Sequence, residues 1–343
     1  MKPPQLLLLV AVFAACGRDT VSGPDSTAAG TIPVSALKAS SAGSFAYVSN
    51  FLTDNVSVVA TSTNTLTATI PVGDSPEGVA FTPKGDFVYV ANAGSTPGYG
   101  TVSVIRTSDN TVTATVPVGS VPTRVAITPK GDFAYVTNLS SGTVSVIQTS
   151  TNTVVATVPV GPRPAGLAIT PNGGFVYVVN VDGDNVSVIQ TSTKAVVATV
   201  PVGDNPIDVA ITPTGDFAYV TNWIPGSVSV IATATNSVTA TIPVYGPYHA
   251  AISPKGDILY VTQLLSDAVA VIQTSTNALI ATVPLTAGSG PGVVAFTPKG
   301  DFAYVTSIYT GTMSVIESAG QSVTTSFAVG ESEGVAVSPK QVK

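Results

Sequence analysis

The chain has 343 residues, with 13 Lys and Arg against 19 Asp and Glu, a net charge of −6, one His and one Cys. That inventory excludes an internal disulfide and any multicopper or haem-ligating site that needs several histidines, and its acidity leaves a nucleic-acid backbone without a partner. With 9% charged and 44% hydrophobic residues, 31 Gly and 26 Pro, it suits short strands joined by tight turns, rather than disorder or long helices.

Residues 1–15 place Lys2 ahead of an apolar run, Leu6 to Ala15, that is shorter than the ~20 residues of a membrane-spanning helix. They read as an export signal. Phe13-Ala14-Ala15-Cys16 resembles a bacterial lipoprotein box, although Phe13 stands where such boxes usually carry Leu. The resemblance implies that Cys16 is lipidated and becomes the N-terminus; the alternative is an ordinary secretory signal with an incidental Cys. Residues 16–42, rich in Ser, Ala, Gly and Thr, read as a flexible tether that holds the folded part on the order of 30 Å from a bilayer. Gly17 stands where Asp would suggest inner-membrane retention, by resemblance to lipoprotein sorting rules. The expectation is an exported, membrane-anchored protein facing the periplasm or the cell surface.

Residues 43–343 form the repeat domain. One phrase returns seven times, as GSFAYVSN from Gly43, GDFVYVAN from Gly85 and GDFAYVTN from Gly131, and on to GDFAYVTS from Gly300. Its tyrosines, Tyr47, Tyr89, Tyr135, Tyr177, Tyr219, Tyr260 and Tyr304, lie 42, 46, 42, 42, 41 and 44 residues apart, the period of four-stranded propeller blades. Each unit holds four apolar runs, A to D, such as Gly78–Thr82, Phe87–Ala91, Thr101–Arg106 and Thr111–Val118. They are dominated by β-branched and aromatic residues, and near-continuously apolar because neighbouring blades are expected to cover both faces. Thr82-Pro83-Lys84-Gly85 has the pattern of a type I turn between A and B. Between C and D, Asn64, Asn152, Asn236 and Asn277 stand where a left-handed residue is wanted, with Gly320 expected to serve in the last unit. The Asn that ends strand B, as at Asn50 and Asn92, is expected to cap turn backbone.

The chain begins at a strand B, from Phe45, and closes with an unpaired strand A, Gly334 to Ser338. Joining the two completes one blade and removes the free edge. The expected fold is an all-β, seven-bladed β-propeller with four antiparallel strands per blade. YVTN, VSVI and TATIPVG at this period resemble the YVTN-repeat family of β-propellers, often described as surface-layer-type proteins; the resemblance covers residues 43–339 and implies the fold without a shared activity.

Loop length varies only on the face that carries the B-to-C and D-to-A loops, here called upper, so this is the expected binding face. Its loops hold ten carboxylates, among them Glu77, Asp208 and Glu333, against Arg124 and Arg163, whereas the lower face is near neutral. The residue before each strand A Val-Ala is Gly78, Arg124, Gly166, Asp208, His249, Val293 or Gly334, a column expected to ring the upper channel mouth. Arg124, Asp208 and His249 are there suited to bind a small anion or to acid-base work, or form a solvated rim. Tyr99, Trp223, Tyr245, Tyr248, Tyr309 and Phe51 add loop aromatics of the kind used in protein or glycan contacts. Asp182-Gly183-Asp184-Asn185 opens like a calcium loop but lacks the Glu at its twelfth position, and an Asp-Gly turn accounts for it.

Three functions remain open. The first is a non-enzymatic, membrane-tethered scaffold, a monomer with no metal or cofactor, whose acidic upper face binds a protein or glycan. The second is a small-molecule hydrolase or sensor at the channel mouth: lactonase-type propellers use a few polar residues there, which Glu77, Arg124, Asp208 and His249 would supply. The third is a structural surface-layer component.

Overall fold

A computed structural model describes residues 44–95, 98 and 100–339. The expected signal peptide (1–15), tether (16–42), lipidation at Cys16 and loop residue Tyr99 lie outside the described residues. Among the described residues, twenty-eight strands form seven four-stranded sheets, and no helix is long and apolar enough to cross a membrane. Blades are numbered from the N-terminus. Blade 1 combines strands B to D (Phe45–Asn50, Asn55–Ala60, Thr65–Pro71) with a strand A from the other end of the chain, Ser332–Val337. Antiparallel pairing of Val48 with Val335 and of Ala46 with Val337 seals that blade, as the sequence leads one to expect.

Each sheet runs outward in the order A, B, C, D. Strands B and C are buried along almost their whole length, as in Phe87–Asn92 and Asn185–Gln190, because the sheets of two neighbouring blades cover them. Strand D departs from the expectation of cover on both faces: Thr153–Pro159 and its counterparts are exposed at most positions, since nothing packs outside the last strand of a blade.

Neighbouring blades are pinned by polar contacts that the repeat carries. The buried tyrosine hydroxyl of one blade donates to the turn Asn of the next, Tyr89 to Asn152 at 2.6 Å, Tyr177 to Asn236 at 2.6 Å and Tyr219 to Asn277 at 2.8 Å. Tyr304 of blade 7 reaches Asn64 of blade 1 at 2.6 Å, so the contact also crosses the seal. These asparagines are left-handed, Asn64 and Asn152 both with φ 54°. In the last unit the left-handed residue is Gln321, φ 48°, and not Gly320, because the turn counts six residues from the strand C valine, Val58 to Asn64 and Val315 to Gln321. The Asn ending strand B does not cap backbone. Its amide donates to the strand C serine, Asn92 to Ser103 at 3.0 Å and Asn138 to Ser145 at 2.9 Å, because that Ser lies beside it within the sheet.

Candidate functional site

In every blade a Pro or Ser of strand A pairs with the residue that ends the repeat phrase on strand B, and the register then slips. In blade 3, Pro122 pairs with Asn138 and Arg124 with Thr137, leaving Thr123 as an extra residue. Blade 5 repeats this around Ile207, and blade 1 around Glu333. A β-bulge of this kind re-aims side chains at the strand end, so two successive residues of each strand A stand at its upper end, of which the second reaches the cavity in most blades. The second member is the column read from the sequence. The first is Glu77, Thr123, Ala165, Ile207, Tyr248, Gly292 or Glu333.

A strand B hydroxyl holds each of several bulges to the blade that follows. Thr137 accepts from the Arg124 amide at 3.1 Å and donates to the Ala165 carbonyl at 2.7 Å. Thr221 likewise accepts from the Asp208 amide at 3.1 Å and donates to Tyr248 O at 2.9 Å, and Ser49 donates to Glu77 O. The Ser or Thr of the repeat phrase therefore fixes the site's backbone.

Around a cavity of about 130 Å³ stand Gly78, Arg124, Asp208, His249, Val293 and Gly334, all members of the expected column. This is smaller than the ~300–1,000 Å³ typical of ligand pockets and suits a small molecule. Gly166 leaves room for Asp208: a Cβ there would lie 2.5 Å from Asp208 Oδ1. The Asp208 carboxylate, 4% exposed, receives the Ala250 amide at 3.1 Å and faces His249 Nε2 at 3.3 Å. His249 Nδ1 accepts the Val294 amide at 3.4 Å. Both ring nitrogens are thus engaged, and burial lowers the His249 pKa although Asp208 raises it. Burial thus favours the neutral imidazole, which is held between Asp208 and the Val294 amide.

Burial pushes Glu77 up to about 8, with Glu333 adding to the rise and Arg124 opposing it. It pushes Glu333 up to about 7, against Arg124 and a hydrogen bond from Tyr248. Tyr248 is likewise raised by burial and by Glu333, and remains a phenol. Burial opposes the charge on Arg124, but Tyr248, Asp208, Glu77 and Glu333 together raise its pKa and keep it cationic. Among the described residues the ion pairs are Arg106–Asp109, Arg163–Asp182 and His249–Asp208, so the Arg124 guanidinium has no direct carboxylate partner. Its one protein hydrogen bond runs from Nη1 to Thr123 O at 3.4 Å. Glu333 Oε1 is buried with no partner. A guanidinium with open donors beside an unfilled carboxylate oxygen can take a polarised carbonyl or an anion together with a water.

The structure moves several expected surface residues. Asp208 and Glu333 are buried and Glu77 is half-buried, so these three do not form part of an open acidic face, and Asp208 lines the cavity. Tyr248 lies on strand Pro247–Ile252, not in a loop. Trp223 is half-buried at the end of strand Phe217–Ile224, while Tyr245 and Tyr309 are exposed. Asp182 pairs with Arg163 at 3.3 Å and Asp184 accepts the Asn205 amide at 2.9 Å; among the described residues no group of three or more His, Cys, Asp or Glu is placed to hold a metal ion.

The family described as "Lactonase, 7-bladed beta-propeller" matches residues 17–111, 98–203 and 149–328. No curated protein matches the chain. Among solved structures, a functionally unknown protein from Desulfotomaculum acetoxidans is similar at 20% identity, covering 85% of this chain and 98% of its own, with a TM-score of 0.75. A putative 6-phosphogluconolactonase from Bacteroides uniformis is similar at 17% identity, over 87% and 100% of the two chains, with a TM-score of 0.72. Hydrazine synthase of Kuenenia stuttgartiensis is similar at 20% identity, over 78% and 90%, with a TM-score of 0.71. At these identities the structures share the fold.

Proposed function

We propose, because the chain belongs to the lactonase seven-bladed β-propeller family, that its upper channel mouth hydrolyses a small lactone. The observation that carries this reading is the half-buried Arg124 at the cavity, without a carboxylate ion pair, near Glu77 and Glu333, whose pKa values burial raises. A lactone carbonyl set against Arg124 meets the positive charge that stabilises its oxyanion. Glu333, at about 7, takes a proton from water as the water oxygen adds to the carbonyl carbon. The ring C–O bond then breaks, and the departing alkoxide takes a proton from Glu77, which at about 8 is protonated at neutral pH. The product is the open hydroxy acid. Return of the proton from Glu333 to Glu77 resets the pair.

Assay of the purified chain against γ- and δ-lactones, including the 6-phosphogluconolactone named for one structural neighbour, tests the reading. Arg124→Met is expected to lower kcat/KM by about 10²-fold or more, and Glu333→Gln by about 10²–10⁴-fold. Failure of the wild type to open any lactone, or full activity in Arg124→Met, overturns it. The leader and the lipoprotein-like Cys16 support a further part of the proposal: the enzyme works outside the cytoplasm, anchored to a membrane by lipid.

A further inference from the structure

We infer that the upper face of blades 5, 6, 7 and 1 docks a cationic, apolar-rich peptide segment of a partner protein, beside the channel mouth. Tyr245 is 65% exposed, Leu52 61%, Tyr309 57%, Leu265 54% and Ile224 39%. Among the described residues, no other large hydrophobic side chain in the upper loops is exposed to this degree. Isolated exposed apolar residues are ordinary, but a contiguous set marks an interaction surface.

The loops that carry them touch in sequence around the ring. Gly226, next but one to Ile224, accepts the Val244 amide at 3.2 Å and packs against Tyr245. Gln263 Nε2 donates to Tyr245 O at 3.0 Å, and Gly246 lies against Leu265. Asp267 binds the amides of Gly288 at 2.7 Å and Gly290 at 2.9 Å, and the Tyr309 ring lies over Gly290. Gly311 meets Gly330 and Glu331, whose carbonyl accepts the Phe51 amide at 3.0 Å next to Leu52. The five side chains therefore stand on one continuous arc.

Charge chooses the occupant. Asp204 lies opposite Ile224 in the sheet register, Asp54 and Asp267 follow Leu52 and Leu265 by two residues, and Glu331 adjoins Phe51. The loops 51–54, 223–226, 244–246, 264–267, 285–290, 308–311 and 329–331 contain no Lys or Arg. An anionic bilayer or a nucleic acid is repelled by such a rim, and a second copy presenting the same face brings like charges together. A segment that alternates basic and apolar side chains satisfies both the arc and the rim, with Tyr245 and Tyr309 as aromatic anchors.

The test uses the full chain and three fluorescent synthetic peptides, one of Lys and Leu, one with each Leu replaced by Ser, and one with each Lys replaced by Glu. The Lys/Leu peptide is expected to bind at least about tenfold tighter than either control, and Tyr245→Ser/Leu265→Ser to lose at least about tenfold of that affinity. Asp54→Asn/Glu331→Gln is expected to flatten the salt dependence of binding. Equal binding of the Lys/Leu and Lys/Ser peptides, or an unaltered affinity in a folded double Ser variant, overturns the inference. So does self-association, or binding to phosphatidylcholine vesicles, that the same double variant abolishes. Lactone turnover is a separate readout and is expected to be unchanged in Tyr245→Ser/Leu265→Ser.

Discussion

Glu333 and Glu77 keep protons that water-exposed carboxylates would shed, and this couples the site to the stability of the whole chain. Burial raises Glu77 to about 8 and Glu333 to about 7, from 4.5 in both cases. Between those values the folded state binds protons that the unfolded chain has lost, so this stabilisation is complete below about 4.5 and fades as pH climbs through 7 to 8. His249 acts in the other direction. Its pKa is lowered by burial, so the unfolded chain takes up a proton first and stability falls on acidification below about 6.5. At ~1.4 kcal/mol per pKa unit, urea unfolding between pH 6.5 and 9 is expected to show a loss of about 2 kcal/mol in the wild type. The Glu77→Gln/Glu333→Gln variant should be nearly flat over that range. A wild-type stability that rises with pH there would mean that both carboxylates are ionised in the folded protein. The sequence pointed to Arg124, Asp208 and His249 as neighbours because all three occupy the same place in the repeat. It put Glu77 at that mouth as well, but Tyr248 and Glu333 only among the loops of the same face, since a bulge arises from the pairing of strands A and B and leaves no mark on the apolar pattern of either.

Between elements, the link from the strand B tyrosine to the next blade's turn explains two features of the repeat at once. The turn needs a left-handed residue, and Asn both tolerates that conformation and offers Oδ1 to the tyrosine hydroxyl. Blade 4 breaks the pattern. Lys194 occupies the turn with φ 55°, and the hydroxyl of Tyr135, which points to this turn by the same repeat, is buried without a partner. Lys194 compensates in part by placing its ammonium 4.7 Å from the centre of the Phe133 ring. Lys194→Asn gives up that cation–π contact, worth ~0.5–1 kcal/mol. It gains a hydrogen bond of ~1 kcal/mol and frees a buried hydroxyl from its desolvation cost of ~1–3 kcal/mol. The net expectation is a gain of about 1 kcal/mol in chemical denaturation. Tyr89→Phe, which removes a satisfied hydroxyl, should cost about 1 kcal/mol, whereas Tyr135→Phe should cost nothing. A Lys194→Asn protein less stable than the wild type would refute the account. The asparagines were legible as left-handed from the sequence alone; their tyrosine partners were not, because the contact joins residues about 60 positions apart in different blades, as in the 63-residue separation of Tyr89 and Asn152.

At the scale of the molecule, the period of the tyrosines was enough to give seven blades, four strands in each and the shared first blade, because a propeller repeats one supersecondary unit and its ends must meet. The same closure carries Glu333 into the site: its strand, Ser332–Val337, is the last of the chain and completes blade 1. It also sets where the chain leaves the disc. Ser44, whose carbonyl accepts the Thr61 amide at 3.1 Å, precedes a strand B, and Pro339, 3.7 Å from a Cβ built at Gly85, follows a strand A. Both positions belong to the lower face, opposite the channel mouth and the apolar arc. Under the proposal of a lipid on Cys16, the anchor is attached on the N-terminal side of Ser44. Fractionation of cells that express the full chain should place the wild type with membranes, labelled by a fatty-acid analogue, and Cys16→Ser in the soluble fraction without label. Lactone turnover per folded molecule should be equal in the two, because the site is built entirely within residues 44–339. Wild-type protein that is soluble and unlabelled would remove the anchor and leave the enzyme; label retained by Cys16→Ser would place the lipid elsewhere. Neither result alters the chemistry proposed for Arg124, Glu77 and Glu333, which stand on strands of the propeller and do not depend on the lipid.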